Sequence, residues 1–203
     1  MSNISPKTRR RASWMVPAAL GTTALAASLF TGSLGAYTAS ITNSNNTAGA
    51  GSLVMQETGK DSSGNAVTCT STDGTKNAAT CATINKYGGN LAMSPGQSVT
   101  SQIALKNTGS VNATGATLTP GQCTNTPTNI DLCSQMQVVI TENGTQIWSG
   151  TAAALAAKGP ITLTAPNAGA TNNYQITTTL PANATTALAG GQISQPLTWT
   201  YTA

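Results

Sequence analysis

Short runs in which apolar and polar residues alternate recur along most of this 203-residue chain. A period of two places side chains on the two faces of a strand, whereas an amphipathic helix needs a period near 3.6. The clearest pair, residues 137–142 and 145–149, flanks Asn143-Gly144, which predicts a type I′ hairpin with positive φ at both central residues. Only residues 151–158 predict a short helix after the N-terminal region. The pattern therefore predicts an all-β fold, an antiparallel β-sandwich with one short helix.

The expected strands are separated by Gly, Pro, Asn and Ser, which favour turns. They cover residues 52–57, 66–70, 98–106, 111–119, 137–142, 145–149, 161–164, 173–180 and 192–201. In the last of them Leu197 and Trp199 share one face and are expected in the core, with Tyr201 half exposed.

The first 35 residues have the arrangement of an export signal. Basic residues at positions 7 and 9–11 precede an apolar run over residues 14–30, and a small-residue segment ending at Gly35 and Ala36 follows. This order is typical of a secretory signal peptide, which predicts a helix that is removed after Gly35 or Ala36. A retained membrane anchor is the alternative, because about 20 apolar residues can span a bilayer.

The positive net charge of the chain comes from this leader. The chain has a formal net charge of +4 and no histidine, but its arginines all lie in the leader. Beyond residue 36, five lysines balance five carboxylates, so no basic surface remains for nucleic acid or anionic lipid. We therefore expect no nucleic-acid partner. A nearly neutral surface is also poorly protected against self-association.

Four cysteines, at positions 69, 81, 123 and 133, follow the leader. An even number in an exported chain favours two disulfides, for which three connectivities exist. We expect the local pairs Cys69–Cys81 and Cys123–Cys133, each of which closes a short loop. Zinc binding is the alternative, but the chain has no CxxC spacing and no histidine, so we expect no metal and no cofactor.

Residues 36–51 join a strand candidate to a polar tether. The strand candidate has Tyr37, Ala39 and Ile41 on one face, and Thr38, Ser40 and Thr42 on the other. The Asn/Ser/Gly-rich tether at 43–51 would span roughly 15–18 Å as a flexible linker, ahead of a β domain expected over 52–203. The strand is therefore free to pair with another molecule, or is the first strand of its own domain or a disordered end.

Several segments resemble the TasA/camelysin family of secreted proteins, whose signal is removed by a SipW-type signal peptidase. The resemblance is carried by Ala36-Tyr37, by Gly51-Ser52-Leu53, by LKNTGSVNATGATL at 105–118, by IWSGTAAAL at 147–155 and by residues 174–203. The chain departs from that family in its two cysteine pairs and in a tether that lacks acidic residues, and the second departure bears on which peptidase cuts it.

The resemblance implies a jelly-roll β-sandwich that builds extracellular biofilm-matrix fibres. In this family the N-terminal segment freed by cleavage adds as a strand to the sheet of the next subunit. By resemblance, and by its alternation, the segment Tyr37 to Thr42 is the donor strand. The implied partners are further copies of the chain, a signal peptidase and an anchoring or accessory subunit.

Two other function classes are alternatives to a fibre subunit. Some camelysin-like proteins are described as metalloproteases, but a chain without histidine has neither HExxH nor a His-based triad. The five carboxylates are also scattered, so we expect no enzyme and no catalytic residues. The remaining alternative is a monomeric secreted or cell-surface β domain of adhesin or pilin type. Residues 180–183 (LPAN) lack the rest of a sortase signal.

Overall fold

The computed structural model describes residues 42–43, 46–47, 50–61 and 63–203. The chain divides between Ala50 and Gly51 into two units. In the first unit the described residues form a small antiparallel pair, β1 (Thr42–Asn43) with β2 (Asn46–Thr47). The pair covers the last residue of the predicted donor strand and part of the stretch expected to be a flexible tether. The predicted signal peptide, its cleavage site at Gly35 and Ala36, and residues 37–41 lie outside the described residues.

The second unit is almost entirely β. It contains, in chain order, β3 (Met55–Lys60), β4 (Ala66–Thr70), β5 (Ser98–Asn107), β6 (Gly115–Pro120), β7 (Thr124–Thr126), β8 (Gln137–Glu142), β9 (Thr145–Thr151), α1 (Ala152–Lys158), β10 (Ile161–Thr162), β11 (Thr171–Thr179), β12 (Gln192–Ser194) and β13 (Leu197–Thr202). Single 3-10 turns lie at Ser71–Asp73 and Thr186–Leu188.

These strands form the predicted antiparallel sandwich. One sheet has six strands in the order β4-β3-β5-β11-β8-β9, and the facing sheet has three in the order β10-β6-β13. A separate pair, β12 with β7, lies at one end. The chain crosses repeatedly between the two principal sheets, as in a jelly roll. Their inner faces and α1 share one core, whose fully buried members include Leu105, Leu118, Val138, Ile140, Leu155 and Ile176.

Local chemistry explains the two best sequence predictions, which are both confirmed. Asn143 and Gly144 have φ values of 48° and 84° and connect β8 to β9. Helix α1 begins after Thr151, whose Oγ1 accepts a hydrogen bond of 3.1 Å from the Ala154 N–H. It ends at Gly159, where φ is 73°.

The first strand of the sandwich starts later than predicted. It begins at Met55 rather than at residue 52, because the backbone of 52–54 bonds to the turn after β5. The Ser52 carbonyl accepts from the N–H groups of Ser110 and Val111. Gly109 allows this approach, since a Cβ there would lie 2.1 Å from the Ser52 oxygen.

Two further strands differ from prediction for similar reasons. The strand expected over 111–119 begins only at Gly115, because Ala113 and Thr114 donate to Pro166 and Thr202 instead. The strand expected over 192–201 is broken into β12 and β13 at Pro196, which has no N–H to continue the ladder. Strand β7 had no predicted counterpart.

The disulfide prediction is confirmed. Cys69 is bonded to Cys81 and Cys123 to Cys133, and the chain has no other cysteine. The two bridges fit an oxidising, extracellular environment. Within the described residues, no helix has both the length and the apolar character needed to cross a bilayer.

Candidate functional site

The two sheets of the sandwich differ greatly in width. At about 4.8 Å between neighbours, six strands extend about 24 Å from first to last, and three strands only about 10 Å. The smaller sheet therefore covers only part of the larger one. Its edge strand β13 lies above β5 and β11: the Tyr201 Oη is 3.5 Å from the Leu105 carbonyl oxygen, and the rings of Trp199 and Tyr174 are 4.7 Å apart. The inner face of β3 lies beyond this edge.

The outer edge of β13 has no strand beside it among the described residues. Its other edge pairs with β6, where Gly121 N–H donates 2.7 Å to the Pro196 carbonyl. Hydrogen bonds alternate along an antiparallel pair, so Thr198 and Thr200 bond to β6. The N–H and C=O groups of Leu197, Trp199 and Tyr201 consequently point away from β6, toward the open edge.

The side chains of β13 alternate in the same register. Leu197, Trp199 and Tyr201 face inward and are partly buried, while the threonines between them are exposed. The expectation that Leu197 and Trp199 are core residues is therefore only half met. They pack on the core cluster but keep some exposure, because nothing in the described part of the chain continues the sheet over them.

A groove of about 1380 Å³ runs along this open edge. One wall is β13 itself, and the floor includes the inner face of β3 at Met55 and Glu57. The opposite wall is formed by an irregular segment, residues 77–93, which we call the wall segment. At the Leu197 end the groove is lined by Leu132, Met136 and Ile193.

Side-chain contacts hold the wall segment against the large sheet. Ile84 packs so closely on Gly59 that a Cβ at Gly59 would lie 2.7 Å from Ile84 Cγ2. The Thr178 hydroxyl donates 3.1 Å to the Tyr87 carbonyl. The Cys69–Cys81 disulfide then ties the start of the segment to β4. The segment thus faces β13 across the groove and forms no strand of either sheet.

Gln195 connects the groove walls at the Leu197 end. Its Nε2 donates to the carbonyls of Gly121 and Ala152, at 2.9 Å and 3.2 Å, and its Oε1 accepts from the Tyr87 hydroxyl. Burial raises the pKa of Tyr87 above its usual range, so this hydroxyl keeps its proton even at moderately alkaline pH. The Pro196 break turns Gln195 inward to make these bonds.

The floor of the groove holds a buried ion pair. Glu57 is 7% exposed, and its Oε1 lies 2.7 Å from Lys86 Nζ of the wall segment. That oxygen has no aligned hydrogen bond, and neither does the buried indole nitrogen of Trp199. Among the described residues, the contact with Lys86 is therefore the one polar interaction of the Glu57 carboxylate.

A second buried carboxylate, Glu142, lies away from the floor and is fully bonded. Its oxygens accept from Tyr174 Oη at 2.6 Å and from the N–H and hydroxyl of Thr164 at about 3 Å. Burial and this hydrogen bond raise the pKa of Tyr174, and burial with the nearby Glu142 charge raises the pKa of Tyr201. This cluster belongs to the core.

The residues predicted from sequence as functional relate to the groove in different ways. Thr42, the last residue of the predicted donor strand, pairs with Thr47, and residues 37–41 lie outside the described residues, so the donor strand stays a prediction. The wall segment and Glu57 were missed, because neither alternation nor a motif distinguishes them. The edge of the groove did have a signal in the sequence, because strand β13 carries three large apolar residues on one face.

Comparison of the chain with models of known protein families finds no match, and comparison with curated proteins finds none. Among the described residues no group of three or more His, Cys, Asp or Glu is placed to hold a metal ion. The groove and its unpaired strand edge are therefore the features on which a function can be argued.

Proposed function

We propose that this protein is a secreted structural subunit of extracellular, biofilm-matrix fibres. In this proposal, residues 37–42 of one copy add as a strand to β13 of the next copy, so that subunits join head to tail. The observation that carries the proposal is the groove of about 1380 Å³ along the outer edge of β13, which pairs with no strand in the described part of the chain.

An unpaired strand edge is a strong site for strand addition. Soluble β proteins usually protect such edges with lysine, proline or a bulge. Strand β13 (LTWTYT) has none of these within its six residues. A strand added there would bond to the outward N–H and C=O groups of Leu197, Trp199 and Tyr201, and its alternate side chains would enter the groove.

The predicted donor strand matches β13 in length and in pattern. Both have six residues, which extend about 20 Å as a strand. Donor side chains Tyr37, Ala39 and Ile41 would continue the inward face of β13, while Thr38, Ser40 and Thr42 would continue its exposed threonine face. The apolar side chains of such a strand would enter the groove, which is apolar at one end, and its polar side chains would face solvent.

A second copy is the occupant we favour. The strand and the groove are different surfaces of one chain, so addition between copies is heterologous and produces open filaments rather than closed dimers. The zero net charge beyond residue 36 leaves little repulsion between copies. An accessory subunit with a similar strand would cap or anchor the same groove.

Export and a non-enzymatic role complete the proposal. The basic and apolar leader predicts handling by a signal peptidase, and the two disulfides suit an extracellular protein. Among the described residues, the groove presents one ion pair and no nucleophile with a partnering base, so we propose a structural function rather than catalysis.

Deletion of residues 37–42 from the processed protein tests the proposal. We expect the intact protein to form filaments in negative-stain electron micrographs and the deletion variant to stay monomeric. Two point variants make the test sharper. Ile41→Asp would place a charge in the groove and should abolish filaments, whereas Ser40→Asp places the same charge on the outer face and should be tolerated.

The proposal fails if the deletion variant forms filaments as abundantly as the intact protein. It also fails if Ile41→Asp and Ser40→Asp behave alike, since strand addition distinguishes the two faces. Circular dichroism of each variant would verify that the sandwich is folded.

A further inference from the structure

We propose that the buried Glu57 carboxylate receives the hydroxyl of Tyr37 from the incoming strand, and that this contact sets the strand antiparallel to β13 with Tyr37 opposite Tyr201. The inference rests on the proposed strand addition and specifies its direction and register.

The geometry follows from neighbouring strands in the two sheets. Tyr201 of β13 reaches across the sandwich to Leu105 of β5, and the register partner of Leu105 on the next strand is Glu57 of β3. A strand added to the open edge of β13 lies one strand further over, above β3. A tyrosine placed beside Tyr201 would therefore reach Glu57 as Tyr201 reaches Leu105.

Glu57 has capacity for such a donor. It is almost fully buried, lines the groove, and contacts only Lys86 among the charged or hydrogen-bonding groups of the described residues. A buried carboxylate normally accepts several hydrogen bonds. The phenol group of a tyrosine donates a hydrogen bond without placing a second positive charge beside Lys86.

The core of the same protein contains the same pairing. Glu142 is as buried as Glu57, at 7% exposure, and accepts a 2.6 Å hydrogen bond from Tyr174 Oη. Glu142 also has Thr164 as a donor, whereas Glu57 has no donor of this kind among the described residues. A tyrosine hydroxyl from the added strand would give the two carboxylates equivalent surroundings.

The two ends of the groove decide the direction of the strand. Glu57 lies at the Tyr201 end, while Leu132, Met136 and Ile193 lie toward the Leu197 end. An antiparallel strand puts the Tyr37 hydroxyl on Glu57 and Ile41 at the apolar end. A parallel strand reverses both matches and would bury the hydroxyl among apolar side chains.

The register then follows from Tyr37 opposite Tyr201. Directly opposite residues on antiparallel strands share a face. Ala39 therefore falls opposite Trp199 and Ile41 opposite Leu197. The smallest inward residue of the strand meets the largest residue of β13, which allows the indole to keep its contact with Tyr174.

Removing one oxygen atom tests the contact. In the processed full chain, Tyr37→Phe keeps the shape of the ring, and Glu57→Gln removes the charged acceptor. We expect Tyr37→Phe to raise the concentration at half-assembly about tenfold or more, as for a lost hydrogen bond to a buried charge. Combined with Glu57→Gln, it should add little further loss, since both variants remove one interaction.

Cross-linking tests direction independently. Opposite residues of the non-hydrogen-bonded pairs lie about 4.5 Å apart between Cα atoms, within the range for a disulfide. In the antiparallel register Thr38→Cys should cross-link to Thr200→Cys of the neighbouring copy. Thr38→Cys with Thr198→Cys, which a parallel strand would join, is the matched control and should not cross-link.

Three outcomes overturn the inference: unchanged assembly of Tyr37→Phe, additive losses in the double variant, or cross-linking in the parallel control. Each leaves strand addition intact if deletion of 37–42 still abolishes filaments. Filaments that survive that deletion would instead remove the proposed function itself.

Discussion

Single buried polar residues decide much of this protein's stability and specificity. Glu57 and Glu142 are the two buried carboxylates among the described residues, and they differ in what surrounds them. Glu142 has a tyrosine, a threonine and a backbone N–H as donors, whereas Glu57 has a lysine. The hydrogen bonds of the Glu142 carboxylate are all made within the core, whereas the Glu57 carboxylate faces the groove.

Tyr174→Phe should show how much the hydrogen bonds around Glu142 contribute to the free energy of unfolding. It leaves the ring in place but removes the 2.6 Å donor to buried Glu142, which should lower the free energy of unfolding by about 1.5–3 kcal/mol. Tyr201→Phe is the control and should cost less, because its hydroxyl has only the 3.5 Å contact with Leu105. Urea denaturation measures both; equal losses would contradict the assignment.

The same tyrosine should govern stability at alkaline pH. Its pKa is raised in the fold, above a value near 10 in the unfolded chain, so above about pH 10 the folded state holds more protons than the unfolded one. Stability due to Tyr174 is therefore full below pH 10 and is lost as the pH rises further. Tyr174→Phe should make the alkaline fall in urea midpoint shallower; an unchanged slope would contradict this.

Among the structural elements, the wall segment and β13 are the ones that form the groove. The wall segment packs on β3 through Ile84, belongs to neither sheet, and is tied to β4 by the Cys69–Cys81 disulfide. The other disulfide closes a loop that is also held by the β7–β12 pair and by bonds from Leu132 and Cys133 to Asn125. The two bridges should therefore differ in their effect on assembly.

We expect each disulfide to contribute about 3 kcal/mol to the free energy of unfolding, since the two loops are of similar length. Replacing Cys69 and Cys81 by Ala should in addition weaken assembly several-fold more than replacing Cys123 and Cys133. Denaturation midpoints and light scattering at matched protein concentration would measure this. Equal weakening of assembly in the two double variants would show that the wall segment does not shape the groove.

How much of each element could be predicted depended on its local signals. The Asn143-Gly144 hairpin, the short helix and the long alternating strands are specified by neighbours in sequence, and the structure confirms them. The breaks at Pro196 and before Met55 depend on contacts with distant residues, such as Ser52 with Ser110. The wall segment has no periodicity, so only the edge strand of the groove, β13, could be predicted from the sequence.

At the scale of the whole molecule, the proposed assembly rests on an incomplete sandwich. Six strands on one side face three on the other, and one edge of the smaller sheet is unpaired among the described residues. The sequence at 37–42 predicts a strand that matches this edge in length and pattern. Neither feature alone implies a polymer. In our proposal the two act together, because the strand of one copy would complete the sheet of the next.

Mixing two assembly-defective variants tests that claim most directly. Ile41→Asp disables the strand but leaves the groove intact, and Leu197→Asp disables the groove but leaves the strand intact. Each alone should be monomeric by sedimentation, and an equimolar mixture should form 1:1 dimers that stop growing. If the mixture remains monomeric while both variants are folded and the unaltered protein forms filaments, strand exchange between copies is contradicted.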